Sequence, residues 1–249
     1  MPGRRPHRYG RGSRGKGAVM RVELSGTHFP LETLGPGRRL GIWLQGCRLA
    51  CAGCMSRHTW APHEGESGDV ETLLDLWGAA LAAGAEGLTV SGGEPLDQPA
   101  ALGELLRGAA RLRSVHPRHG SAVDGLPADL LVYTGYEESE LDASRRTALA
   151  HADAVVSGRF RIAEPTRLVW RGSANQRLAP RTALGRIRYA PHLDREADGP
   201  AVQIVVTPAG PAGPPAVRLL GVPRRGELSH WERWLGARGL RLRERSWRP

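Results

Sequence analysis

Cysteine is nearly missing from this sequence: there are three in 249 residues, and all of them fall between Cys47 and Cys54. With no thiol elsewhere a disulfide framework is excluded. Clustered cysteines of this kind suit metal binding in a reducing compartment, so the chain is read as cytoplasmic. Long apolar runs are missing too. None approaches the ~20 residues of a membrane-spanning helix, and the charged start leads into no apolar signal-peptide core; no membrane partner is expected.

Acidic residues are absent from the first 22 positions, where seven cations stand, and Lys16 is the one lysine among 35 basic residues. From Arg224 onward eight arginines face three glutamates, so the middle of the chain carries −2 of the formal +10. Basic ends suit nucleic acid. However, residues 1–18 hold a single aromatic, Tyr9, to stack a base, and no helix-turn-helix or zinc-finger spacing occurs. The first 18 residues are therefore read as a disordered basic arm, and nucleic acid is not an expected partner.

What is present is a succession of strands, loops and helices. Val19–Leu24 reads as a short strand, and Leu40–Gln45 as a buried parallel strand ending at Gly46. Asp69 is placed to cap a helix reaching Ala83. Strands at Leu88–Val90, Asp129–Tyr133 and Ala154–Val156 alternate with helices over 98–113 and 137–150, with a polar loop over 114–127. This order predicts an α/β fold around a parallel sheet. Beyond Pro180 the pattern changes: strands over 201–206 and 216–220 and a helix over 227–237 predict a small β-β-α appendage in 200–249, after a main domain over 19–180. The tryptophans of that last helix read as core, and most of the nine histidines as surface.

In parallel sheets chemistry collects at the C-terminal strand ends. Four segments fall there: the cysteine loop, Ser91–Pro95, Thr134–Tyr136 and Ser157–Phe160. Cys47, Cys51 and Cys54 are spaced C-x₃-C-x₂-C. Three thiolates on a [4Fe–4S] cluster, which normally takes four, leave one iron open to an outside ligand. The alternative is a zinc site borrowing His58 or His63. Gly92 and Gly93 offer side-chain-free backbone to a small zwitterion, with Glu94 or nearby carbonyls to accept from its ammonium group. Trp170–Gln176 has no spacing that demands a catalytic role.

These segments, in this order, resemble the radical S-adenosylmethionine (SAM) superfamily, and within its glycyl-radical activating branch the small activating proteins of anaerobic ribonucleotide reductases. The matching residues are Gly46–Cys54 running on to Thr59–Trp60, Ser91–Leu96, Tyr133–Tyr136, Val156–Phe160 and Trp170–Gln176, over about residues 20–180. Met55 and Ser157 depart from the family pattern, which often has an aromatic residue and has Asp at these positions.

The resemblance implies a partial (β/α) barrel and a cluster on Cys47, Cys51 and Cys54 with SAM on the open iron. Gly92, Gly93 and Glu94 would hold the methionine end of SAM, and Pro95, Thr134 and Ser157 fall in the same cofactor-binding set. The implied activity is reductive SAM cleavage to a 5′-deoxyadenosyl radical. Its implied partners are an electron donor such as flavodoxin or ferredoxin and a glycyl-radical enzyme as substrate. Two rivals remain: the same chemistry on a peptide or metabolite, and a non-enzymatic iron–sulfur or zinc module.

Overall fold

The fold is described from a computed structural model covering residues 19–115, 125–199, 201–207 and 216–239. The expected basic arm and most of the 114–127 loop lie outside these residues. Strands β1 (Arg21–Leu31), β2 (Arg39–Leu44), β3 (Glu66–Asp69), β4 (Gly87–Gly92), β5 (Asp129–Thr134), β6 (Ala154–Ser157) and β7 (Arg177–Pro180) form one sheet in the order β3-β1-β2-β4-β5-β6-β7. The four central strands, β2, β4, β5 and β6, run parallel; β1, β3 and β7 pair antiparallel at the flanks. Burial along β2, β4 and β5 is almost continuous, as for strands covered on both faces.

Helices α1 (Val70–Ala82) and α2 (Pro99–Val115) cover one face. Asp69 caps α1 as expected, its carboxylate accepting from Thr72 N. Trp77, Leu102, Leu105 and Leu106 then pack on Ile42, Leu88, Val90, Leu130 and Val132 in the main core. The other face carries Leu131, Val156 and Leu178 against α4 (Ala183–Tyr189). Tyr189 is fully buried there and donates to Asp129. That carboxylate also takes two hydrogen bonds from the equally buried Arg39, at 2.9 and 2.8 Å.

One expectation changes, and two further elements appear that the sequence does not mark. The helix over 137–150 is a 3-10 turn (Glu138–Glu140) followed by the six-residue α3 (Ala143–Ala148), because Leu141 leaves helical geometry to enter the core and Asp142 caps the new start. The polar stretch before Asp69 holds β3, an edge strand with no apolar alternation to reveal it. Beyond Pro180 the chain still returns to the sheet through α4 before reaching the hairpin of β8 (Val202–Thr207) and β9 (Ala216–Gly221) and then α5 (Glu227–Gly236).

The hairpin docks beside β1: Gln203 donates to Pro30 O at 2.9 Å, and Leu220 joins Leu31 and Leu34 in a third core. The tryptophans of α5 are a correction. No residue of this helix is buried, and Trp234 is 41% exposed. A helix packed at the margin keeps a wet side that a sequence pattern cannot assign. Among the described residues no helix is long and apolar enough to cross a membrane.

Candidate metal centre and cofactor cavity

β2 ends at Leu44, and the chain turns through Gly46 at φ +95°, a conformation that favours glycine. The cysteine loop that follows is fastened on two sides. Gly46 N and Cys47 N donate to the carbonyls of Thr59 and Trp60 at 2.8 and 3.0 Å. On the other side, Gly93 N and Glu94 N donate to the carbonyls of Leu44 and Gly46, both at 2.8 Å. Buried Gln45 adds bonds from its amide to His58 O and Ala61 O. Thr59 and Trp60, noted only as a continuation of the motif, therefore hold the loop's return.

All three cysteines are half-buried and unpaired, and all three line one cavity of about 810 Å³. Each sulfur faces backbone N–H groups: those of Leu49 and Ala50 at Cys47, that of Phe160 at Cys51, and that of Ser56 at Cys54, at 3.4 Å. Burial pushes the Cys47 and Cys51 thiols up, and these amides oppose it by stabilising the thiolate. Neither His58 nor His63 lines the cavity. Among the described residues no three His, Cys, Asp or Glu side chains gather as the ligands of a single ion would.

The glycine pair has a role that the sequence did not indicate. A Cβ on Gly92 would lie 2.2 Å from Leu44 O, and one on Gly93 would lie 2.2 Å from Gly46 O and 2.7 Å from Thr59 O. The space that a side chain would fill is occupied by the backbone of the cysteine segment, so the missing side chains bring two loops together. Both glycines line the cavity as well.

Glu94 is 1% exposed, and three protein donors take its oxygens. Oε1 accepts from Leu96 N (2.9 Å) and Thr134 Oγ1 (2.8 Å), and Oε2 from Gly135 N (2.7 Å). Burial raises its pKa to about 7 against these bonds. Glu94 thus ties the β4 loop to the β5 loop. Thr134 lines the cavity through the same junction, whereas Pro95 and Ser157 do not. Pro95 is buried at the head of a 3-10 turn, and Gly158 takes the lining position beside Ser157.

Two further groups escaped the sequence reading. Asp97 accepts from Arg48 N (3.1 Å) with one oxygen and from Tyr136 Oη (2.8 Å) with the other, linking the cysteine loop to both neighbouring strand ends. An acid one turn past a glycine motif has no signal that would mark it. Within Trp170–Gln176, Gln176 donates to Gly158 O and Asn175 to Arg159 O, both at 2.9 Å. That segment fastens the β6 loop, whose Ile162 abuts Gly53 of the cysteine loop.

Sequence comparison adds to this geometry. Residues 33–179 match the family model described as a 4Fe-4S single cluster domain. Proteins called anaerobic ribonucleoside-triphosphate reductase-activating protein are similar. That of Vibrio cholerae is 32% identical over 156 residues, 60% of this chain and 92% of that protein. That of Pasteurella multocida is 34% identical over 158 residues, again 60% and 92%. That of Enterobacteria phage T4 is 30% identical over 144 residues, 58% and 85%. Among solved structures, QueE from Escherichia coli aligns at a TM-score of 0.31 and 19% identity over 46% of this chain and 52% of its own, a likeness too slight to bear on the fold. The chain belongs to the 4Fe-4S single cluster domain family and, within it, to the family of anaerobic ribonucleoside-triphosphate reductase-activating proteins.

Proposed function

We propose that this chain is a radical SAM enzyme of partial (β/α)-barrel type, with a [4Fe–4S] cluster on Cys47, Cys51 and Cys54, that installs a glycyl radical on a partner enzyme such as an anaerobic ribonucleotide reductase. The observation that carries the reading is the single cavity lined together by the three cysteines, Gly92, Gly93 and Thr134. Its volume, about 810 Å³, lies within the roughly 300–1,000 Å³ of small-molecule sites. The donor set fits the cluster: three thiols, each facing an amide, and no fourth cysteine in the sequence.

When bound, the cluster supplies one electron for reductive cleavage of SAM to methionine and a 5′-deoxyadenosyl radical. The protein's part is to bind, orient and shield. Cys47, Cys51 and Cys54 give up their protons on binding iron. Amides at Leu49, Ala50, Ser56 and Phe160 face the sulfur charge, as the outer shell of a metal site does. Gly92 and Gly93 bring the strand end beside the cysteine loop, where the methionine end of SAM would sit. Glu94 and Thr134 hold that junction in place, and Pro95 and Ser157 support it from outside the cavity. An electron donor such as flavodoxin or ferredoxin completes the system.

The test is anaerobic reconstitution with iron and sulfide, followed by dithionite and SAM. 5′-Deoxyadenosine above a Cys54→Ala control is expected, and its absence would refute the reading. Incubation with a candidate reductase then gives a glycyl signal by electron paramagnetic resonance. Cleavage of SAM without that signal would move the substrate to a peptide or metabolite.

A further inference from the structure

The cavity has a second wall that the cysteine loop does not build. Residues Arg195, Asp198, Val222, Arg224, Arg225 and Leu228 line it too, and all lie beyond position 179, where the family match ends. The matched domain supplies most of the lining, and the C-terminal part of the chain adds the remainder.

Charge on this second side is unbalanced. Arg167 pairs with Glu196 at 2.9 Å and Arg195 with Asp198 at 2.8 Å. The lining guanidiniums of Arg171, Arg224 and Arg225 form no ion pair among the described residues; Asp194 acts on Arg171 through space, and Glu227 accepts from Arg224 N at 2.7 Å on the same turn. Arg171 is buried and donates to the carbonyls of Leu193 (2.6 Å) and His192 (3.2 Å). Arg224 bridges the carbonyls of Ala197 (2.7 Å) and Gly199 (3.3 Å), which holds the start of the 222–226 turn against the 197–199 segment. Arg225 is exposed and has no side-chain partner among the described residues.

Of the lining carboxylates, Asp198 is already paired and Glu94 is closed off under its three donors, leaving Glu32. Carbonyl partners satisfy N–H groups without cancelling charge. A cleft lined by an excess of one sign focuses its field on ligands of the other, and a planar guanidinium fork matches a carboxylate.

We propose that this wall binds an acidic side chain of the protein segment on which the radical acts, with Arg225 making the contact and Arg224 acting as the positioning residue of the turn that carries it. The proposal rests on the reading of the cysteine site given above. A cavity of about 810 Å³ is large enough to take an extended stretch of chain beside a small molecule. The target is thus selected by residues that lie outside the shared domain.

The test uses the full-length, anaerobically reconstituted protein and fluorescence anisotropy with a fluorescein-labelled heptapeptide of alternating glycine and glutamate, against its glutamine counterpart. The glutamate peptide is expected to bind at least tenfold more tightly. Its Kd rises at least tenfold in Arg225→Glu and less than threefold in Arg225→Lys. Arg111→Glu, on the exposed side of α2, makes the same change in net charge and shifts Kd less than threefold.

Equal binding of the two peptides would overturn the proposal, as would an Arg111→Glu effect as large as that of Arg225→Glu. Inorganic phosphate displacing the peptide at comparable concentration would assign the wall to a small anion, and so also overturn it. The same preparation is assayed for 5′-deoxyadenosine. Cleavage without peptide discrimination refutes this inference alone, and discrimination without cleavage refutes the cluster reading alone.

Discussion

Gly93→Ala separates two reasons for a glycine at this position. If the missing side chain leaves room for a ligand, alanine should leave the empty protein intact and weaken only ligand binding. The structure gives the other reason. The new Cβ would stand 2.2 Å from Gly46 O, where ordinary contact begins at 3.4 Å, so that carbonyl must move by about 1.2 Å. Thr59 O at 2.7 Å blocks the opposite escape.

Both neighbours are backbone, and Gly46 directly precedes Cys47, so relief has to displace a residue proposed to hold the cluster. Overpacking of this kind costs about 1–3 kcal/mol. Urea denaturation of the iron-free protein should show that loss, and anaerobic reconstitution should show a lower iron-to-protein ratio. Gly78→Ala in α1 is the matched control: its Cβ meets nothing within 4 Å, and helix propensity predicts a gain of about 0.5–1 kcal/mol. Wild-type stability and iron content in Gly93→Ala, with only the KM for SAM raised, would refute the loop-packing account.

Other outcomes follow from the same structure. Glu94 has its pKa raised to about 7 by burial, above the ordinary carboxylate value. The native state therefore binds the extra proton, its stabilising effect is complete at low pH, and it is lost as pH rises through 7; denaturation midpoints of the iron-free protein should fall from pH 5 to pH 8, and Glu94→Gln should flatten that slope. Asp129→Asn removes the anion that Arg39 faces in full burial, and a broken buried pair costs about 3–5 kcal/mol, measurable by the same melts. Tyr133 Oη is buried and has no hydrogen-bond partner among the described residues, so Tyr133→Phe should be neutral or stabilising by about 1 kcal/mol in thermal unfolding.

Much of the scaffold was legible because it is written locally. Asp69 and the apolar spacing after it specify α1, and the near-continuous apolar runs around Ile42, Val90 and Val132 specify buried parallel strands. Elements that depend on a partner were not legible. β3 is polar and exists because β1 offers it a ladder. Leu141 breaks an apparent helix because the core takes its side chain. α5 has an apolar pattern that the fold leaves at the margin.

By itself the sequence singled out the candidate chemistry-bearing set: three cysteines in eight residues with no fourth, and a glycine pair at the next strand end. Spacing along the chain suffices for that, since residues on one short loop stay near one another whatever the fold around them. Only the tertiary structure decided what the neighbouring groups do. Glu94 spends its oxygens on the β5 loop, Gly93 yields its space to Gly46, and Asp97 joins three segments. Each of these roles is a contact between residues far apart in sequence. The same holds for the cavity's second wall, which residues 141 positions and more beyond Cys54 come back to complete.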